Sequence, residues 1–413
     1  METKIEAGVF MSKKRIMILG VGEAQMKLIH QAKKEGYFII ICDMRSESEG
    51  AKLADKFYKV NYTEKELVLK VAVDEKIDGV ISNSEPAMTT VAYISEKLNL
   101  PGNSVKSVET LLSKTDFRKL QERCGVFAPK AFNVHSCLEL LETARDMKFP
   151  VIIKPTKSSG TRGTSKIEEY SGALIENAFE ICREFSRDGF VTIEEYVEMP
   201  SLIINNADVF VLNDEILWDG WHCVKRAEET PMLPMTHILP VVISDSEKQE
   251  IIETVSAVIK ASGIRHGEYN VETYFTKDND VFVIEINPRQ AGNNIPQLIK
   301  EHTGVDLTRL LVTTAVNDMS YYEELKTFKR ECNYITQQVV FSKKDGVYSG
   351  LYIDEDLKKY IQWCNEVVSV GDFVKKGINA ADCVAYVEFK FDDLKTQQYY
   401  TENIERYVYP LLK

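Results

Sequence analysis

Tyr269-Asn-Val-Glu-Thr-Tyr-Phe-Thr-Lys-Asp-Asn-Asp-Val-Phe-Val-Ile-Glu-Ile-Asn-Pro-Arg289 is the stretch on which the reading of this chain turns. Two apolar runs flank the turn-forming cluster Lys277-Asp-Asn-Asp280, so the segment reads as a strand pair. Glu285 and Asn287 lie two residues apart on the second run and share one face, with Ile284 and Ile286 expected on the other. Glu272, on the first run, is placed to be their neighbour across the hairpin. Oxygen-bearing side chains on a core strand are costly unless a cation or another partner satisfies them. Such a donor set suits Mg²⁺, which keeps several waters and bridges to substrate phosphates. Arg289 follows at once, with a permanent charge on a planar fork matched to carboxylate or phosphoryl oxygens. A buried ion pair between Arg289 and either glutamate is the structural alternative.

A second signal lies upstream. Phe149-Pro-Val-Ile-Ile-Lys154-Pro reads as a buried strand, and Ser158-Ser-Gly-Thr-Arg-Gly-Thr164 follows it. Gly160 and Gly163 let the backbone approach a ligand closely, while Ser158, Ser159 and Thr161 supply hydroxyl donors for phosphate oxygens. No Gly-Lys-Ser/Thr closes the loop, so it is not a Walker A motif. Lys154 beside such a loop makes a clamp for a polyphosphate; a solvated strand end and a flexible hairpin are the plainer alternatives. His222, Cys223 and Lys225 cluster without any zinc spacing and read as surface positions. No nucleophilic triad is discernible.

The 413 residues suffice for two or three domains. Hydrophobic residues make up 44% and charged residues 28%, as in a soluble globular chain with a sizeable core. With 51 Lys plus Arg against 63 Asp plus Glu, the net charge is −12, which argues against nucleic acid or an anionic membrane as partner. The apolar runs are too short for a bilayer, and the N-terminus lacks a signal-peptide core. Met11 offers an alternative start, leaving residues 1–10 as an extension. Eight scattered cysteines without a CxxC pair read as free thiols, and the compartment expected is the cytoplasm.

From the N-terminus, Arg15–Gly20, Tyr37–Asp43 and Asp78–Ser82 read as strands separated by helical patterns over 24–35 and up to Leu98. Apolar strands alternating with amphipathic helices predict a parallel sheet covered on both faces. Gly20-Val-Gly22 with Asp43 has the outline of a dinucleotide site, but Gln25 stands where the third glycine belongs. Asn99-Leu-Pro-Gly102 punctuates the end of this region. Further on, a helix is expected over 171–185 and strands over 190–197, 203–218 and 281–286, with a β-rich stretch over 334–390.

Together these segments resemble the ATP-grasp superfamily of carboxylate–amine/thiol ligases, in its three-domain form. The ordered set is Lys114, Pro150-Val-Ile-Ile-Lys154-Pro, Ser159-Gly-Thr-Arg-Gly163, Glu194-Glu-Tyr-Val197, Glu272 and Glu285-Ile-Asn-Pro-Arg289. The resemblance implies a mixed α/β and α+β fold: a Rossmann-like pre-ATP-grasp domain over 1–110, an ATP-grasp domain over 111–330 with a lid subdomain near 125–198, and a β-rich portion over 331–413. It implies that Lys114 and Lys154 contact ATP phosphates under the loop Ser158–Thr164, and that Glu195 and Val197 lie on the strand at the adenine edge. Glu272, Glu285 and Asn287 are implied to hold two Mg²⁺ ions, for which Mn²⁺ can substitute. Arg289 is implied to act catalytically with Lys154, and His237 to lie on the phosphate side. The activity implied is an ADP-forming ligation of a small-molecule carboxylate to an amine, with a homodimer as the expected assembly.

Two departures qualify this. Met199-Pro-Ser-Leu202 stands where the family carries Gly-x-Glu, whose acid binds ribose, and the glycine loop is sparser than in biotin carboxylase. Asn287-Pro-Arg-Gln-Ala-Gly-Asn293, with Leu298 and Thr303-Gly304, is closest to the L-amino acid ligase type. A purine-pathway or natural-product ligase, a non-catalytic ATP-binding module and a nicotinamide-dependent oxidoreductase are the alternatives.

Overall fold

The computed structural model describes residues 13–156, 163–186, 189–228 and 233–413. The chain divides into two compact units; the first runs to Val105 and takes back Thr308–Phe328. Its strands are β1 (Arg15–Leu19), β2 (Phe38–Cys42), β3 (Lys56–Tyr58) and β4 (Gly79–Ile81), ordered β3-β2-β1-β4. All neighbours are parallel, as the buried apolar strands predict. Met17, Leu19 and Ile40 pack with Val68, Ala72 and Ile94 of the helices Lys65–Asp74 and Met88–Leu98.

The returning segment is sewn into the first unit by named contacts. Tyr37 donates its hydroxyl to Asp318 at 2.8 Å, and Arg309 Nε donates to Glu35 at 3.0 Å. Gly79 is needed for close approach: a Cβ there would lie 2.1 Å from the Ala315 carbonyl oxygen. The dinucleotide outline dissolves in this unit. Asp43 is buried, and its carboxylate accepts from the Val21 and Arg45 amides and from the Arg45 guanidinium. It braces the turn after β1 instead of facing a ribose.

The second unit holds Lys106–Leu307 and Lys329–Lys413. Strands β5 (Ala131–Val134), β6 (Val151–Pro155), β7 (Ser165–Ile167) and β8 (Val191–Glu195) form an antiparallel sheet ordered β5-β8-β6-β7. Helices Cys137–Arg145 and Gly172–Phe185 give it a core of its own, around Val151, Ile153, Phe179 and Ile193.

The larger sheet is built from β9 (Ile203–Leu212), β10 (Glu215–Arg226), β11 (Pro234–Leu239), β12 (His266–Phe275) and β13 (Val281–Asn287). After β13 come β14 (Tyr334–Phe341), β15 (Gly346–Ile353), β16 (Ile361–Glu366), β17 (Phe373–Val374), β18 (Cys383–Phe391) and β19 (Val408–Leu412). The order is β13-β12-β9-β10-β11-β14-β18-β16, so strands from the C-terminal stretch extend the same sheet, while β17-β15-β19 form a separate one. The strand expected over 203–218 is two: Asn213, at φ +56°, turns the chain between β9 and β10.

One face of the large sheet is apolar. Ala207, Val209, Tyr269, Val271, Val283 and Ile286 pack against Ile251, Val255, Val258 and Ile259 of the helix Asp245–Ser262. That helix opens on a capping box between Ser244 and Glu247 and closes on Gly263 at φ +75°. The other face carries the polar residues. No helix among the described residues is long and apolar enough to cross a membrane.

The close approach at Gly79 predicts the cost of filling it. Gly79→Ala should lower the stability of the first unit by about 1–3 kcal/mol, read by thermal or urea unfolding; an unchanged transition would contradict the packing described.

Candidate functional site

Strand alternation puts Asn206 and Asp208 of β9, His222 of β10, Glu268, Asn270 and Glu272 of β12, and Glu285 and Asn287 of β13 on the polar face. Glu272 stands directly opposite Glu285, and Asn270 opposite Asn287. The hairpin expectation therefore holds, with one correction. A register shift opposite Glu272/Thr273 breaks the alternation, so Ile286 joins the apolar core while Ile284 packs with Phe282 on the site's own side.

Two facing carboxylates in a buried setting repel. Burial pushes Glu272 above the usual carboxylate range, the Arg226 guanidinium opposes that, and the charge of Glu285 reinforces it. Arg226 Nη2 donates to Glu272 at 2.7 Å, and Asn287 Nδ2 donates to Glu285 at 2.6 Å. Arg289 is braced through its backbone: its carbonyl accepts from the Asn270 amide at 3.2 Å, and its own amide donates to the Asn287 carbonyl at 2.8 Å. The Arg289 guanidinium donates to the Gln290 carbonyl at 2.9 Å, and its charge pulls the Glu272 pKa down.

Lys154 sits at the end of β6 and donates to Glu194 of β8 at 2.8 Å. The other oxygen of Glu194 accepts from Arg118 Nε at 3.0 Å. Arg118 is buried on the helix Lys114–Arg123, and its remaining donors reach Gln121 and the carbonyls of Val283 and Ile284. Burial alone would raise the Glu194 pKa, but Arg118 and Lys154 overcome it and hold the value at about 2. Lys154 is drawn the other way: burial lowers its pKa and Glu194 counters in part. The chain β13 carbonyls–Arg118–Glu194–Lys154 thus fixes the lysine amine from behind. Lys114 opens the same helix, with its amine 3.4 Å from the Thr156 carbonyl.

Glu195 and Val197 lie at and just beyond the end of β8. The Val197 carbonyl accepts from the Tyr274 hydroxyl at 2.7 Å, and Val197 packs in an apolar cluster with Ile204, Val224, Tyr274, Phe282 and Met199. Met199 thereby puts a thioether where a ribose acid was expected. His237 of β11 is buried beside His222, ring centroids 5.9 Å apart, and its Nδ1 has no hydrogen-bond partner among the described residues. Burial, reinforced by His222 and Arg226, keeps His237 far below the ordinary imidazole range, hence neutral at pH 7. Gly163 is described, at φ +75°, whereas Ser158, Ser159, Gly160 and Thr161 lie outside the described residues.

Several members were missed in the sequence. His222 and Cys223, read as surface positions, are buried in β10, because a long central strand carries them across the sheet. Arg118 and Glu194 carried no motif signal of their own as an ion pair. Asp208, 0% exposed, accepts from Asn270 Nδ2 at 2.9 Å and from the Ala291 amide at 3.2 Å. An Asx residue in a strand of otherwise apolar character was the available clue.

This combination of folds and polar face has known counterparts. Residues 113–319 match the model of the carbamoyl-phosphate synthase L chain ATP-binding domain, and residues 29–102 that of the ATP-grasp N-terminal domain. The chain belongs to the ATP-grasp family. Among solved structures, the L-amino acid ligase of Bacillus licheniformis superposes with a TM-score of 0.80 at 15% identity, covering 97% of this chain and 99% of that one. Phosphoribosylglycinamide synthetase of Anaerococcus prevotii gives 0.73 at 21%, covering 97% and 100%. By sequence, the chain is 25% identical to an uncharacterized protein, y4rH, of Sinorhizobium fredii, over 72% of this chain and 62% of that protein. It is equally 25% identical to alanine–anticapsin ligase of Bacillus amyloliquefaciens, over 60% of this chain and 56% of the ligase. The chain thus spans less than two thirds of the length of these two relatives.

The Arg118–Glu194 pair gives a pH-dependent prediction. Glu194 titrates lower in the folded chain than in the unfolded one, so its contribution is complete above roughly pH 4.3 and is lost as the pH falls towards about 2. Arg118→Met should destabilise the second unit by about 3–5 kcal/mol at pH 7, with the deficit shrinking below pH 4.3. Equal unfolding midpoints at pH 7 would count against the pair.

Proposed function

We propose that the chain is an ATP-dependent ligase that activates a carboxylate as an acyl phosphate and joins it to an amine. The observation that carries this reading is the in-register opposition of Glu272 and Glu285, both half-buried, with Asn287 beside them. Carboxylates so placed call for a cation, and hard oxygen donors select Mg²⁺. Glu272, Glu285 and Asn287 would hold it; when bound, the ion neutralises phosphate charge.

The side chains meet the remaining demands of the reaction. A carboxylate oxygen attacks the γ-phosphorus and ADP leaves; the amine then attacks the acyl carbon, phosphate leaves, and the nitrogen loses a proton. Both partners in the first step are anionic, so catalysis is positioning and charge compensation. Lys154, locked by Glu194, presents its ammonium to the phosphates, with Lys114 beside it. Arg289, its backbone pinned between β12 and β13, presents a planar fork to the substrate carboxylate or the phosphoryl in flight. Neutral His237 is a hydrogen-bond partner on the same face and adds no charge there.

An amino acid is the carboxylate we favour, and a second amino acid or small metabolite the amine, supported by the likeness to an L-amino acid ligase. Met199, in the place of a ribose acid, supports one other reading, an ATP-binding module without turnover.

Measuring ADP release with amino acids and small carboxylates crossed pairwise separates the two. The ligase reading expects carboxylate-dependent ADP release that chelation abolishes. Glu285→Gln and Lys154→Ala should each lower it by at least about a hundredfold, with the fold intact by circular dichroism. Wild-type turnover by Glu285→Gln would remove the metal assignment, and absence of ADP release from every pair would favour the module. Arg289→Ala should cut ligation far more than nucleotide binding; an unchanged rate would remove Arg289 from the mechanism.

A further inference from the structure

The loop after β13 carries Arg289 and is held at three points. Arg289 takes the Asn270 amide on its carbonyl at 3.2 Å. Gln290 Nε2 donates to Glu268 at 2.6 Å. The Ala291 amide donates to Asp208 at 3.2 Å. Two of these anchors are carboxyl groups of adjacent strands, Asp208 at 0% exposure and Glu268 at 2%. The register, with Asn270 opposite Asp208 and Glu268 opposite Phe210, makes them diagonal neighbours on one face, close enough to hydrogen-bond. The second oxygen of Glu268, Oε1, is buried and receives no donor from nitrogen or hydroxyl groups among the described residues.

We propose that Asp208 and Glu268 share one proton, with Glu268 as the acid and Asp208 as the carboxylate, and that this pair is the positioning device for the Arg289 loop. The inference rests on the reading of Arg289 as the substrate-facing arginine. Donor arithmetic supports it. Asp208 as a carboxylate offers two acceptor oxygens to Asn270 Nδ2, the Ala291 amide and a Glu268 hydroxyl. Two bare carboxylates in contact at such burial would repel with little screening. Burial raises both pKa values, but the charge of Asp208 and the hydrogen bond between the two raise Glu268 further while that bond lowers Asp208, which places the proton on Glu268.

Other groups facing the pair do not supply the missing charge. His222 of β10 is the nearest base to Asp208, and burial holds its pKa below the ordinary value. Asp306, beyond the helix Ile295–Thr303, adds a further negative charge towards Glu268, and Lys300 pairs with it at 2.6 Å. At alkaline pH the shared proton goes to solvent, the carboxylates separate, and the contacts to Gln290 and Ala291 weaken. Asp208 also bonds Asn270, whose Oδ1 lies 3.5 Å from Asn287 Nδ2, so the same pair steadies the amide beside Glu285.

Peptide-resolved hydrogen exchange on the full chain tests this without a known substrate. In Asp208→Asn, a single amide oxygen must serve all three donors. Protection of the 289–294 peptide should fall at least tenfold at pH 7, with the helix Asp245–Ser262 unchanged. Glu268→Gln keeps an acceptor for Gln290 and a permanent donor to Asp208. It should retain at alkaline pH the loop protection that the wild type loses there. Unchanged loop protection in a folded Asp208→Asn chain would overturn the proposal. Should that variant unfold, an alkaline loss in Glu268→Gln parallel to the wild type would overturn it equally. Exchange responding as expected while Arg289→Ala ligates normally would instead sink the catalytic reading of Arg289 and leave the pair as a device of structure.

Discussion

Two carboxylates held face to face on neighbouring strands at the edge of the large sheet set the terms for everything around them. Glu272 and Glu285 cannot drift apart, because the β12–β13 ladder pairs them directly between Asn270–Asn287 and Phe275–Val281. Solvent reaches them only in part, because both are half-buried on the polar face. What remains is compensation from the side. Arg226, Asn287 and, through its charge, Arg289 are arranged to give it. The same principle recurs one layer out, where Glu194 is ringed by Arg118 and Lys154, and again where Glu268 meets Asp208. Each carboxylate of this region has a specific partner, which is why the cluster is stable enough to be built into a core.

Arg118 links the two halves of the second unit's site. Its guanidinium bonds the carbonyls of Val283 and Ile284, at the register shift of β13, and the carboxylate of Glu194 on β8. The shift exposes carbonyls that a regular ladder would consume, so the irregularity next to Glu285 is also the anchor for the lysine on β6. The acidic corner and the phosphate-side cation are therefore one connected framework.

Much of this was legible in the chain itself. The parallel sheet of the first unit followed from buried apolar strands between amphipathic helices, and the β12–β13 hairpin from the Lys277–Asp280 turn. Local periodicity reports which side of a strand a residue occupies, and that was enough to bring Glu272 to Glu285. It fails where the period breaks: the register shift sent Ile284 to the wrong face. It also says nothing about which strands become neighbours, so the Asp208–Asn270 and Arg118–Glu194 contacts, over sequence separations of 62 and 76 residues, had no local signature. Asp43 ends a motif outline that is incomplete at Gln25, and in the structure its carboxylate serves a turn and an arginine.

The most direct measurement is anomalous diffraction from crystals grown with Mn²⁺ and a non-hydrolysable ATP analogue. The account predicts a metal peak within bonding distance of the oxygens of Glu285 and Glu272, with the Lys154 amine directed at the phosphates. An ordered nucleotide with no metal at those carboxylates, or Glu272 and Glu285 still occupied by Arg226 and Asn287 alone, would contradict it.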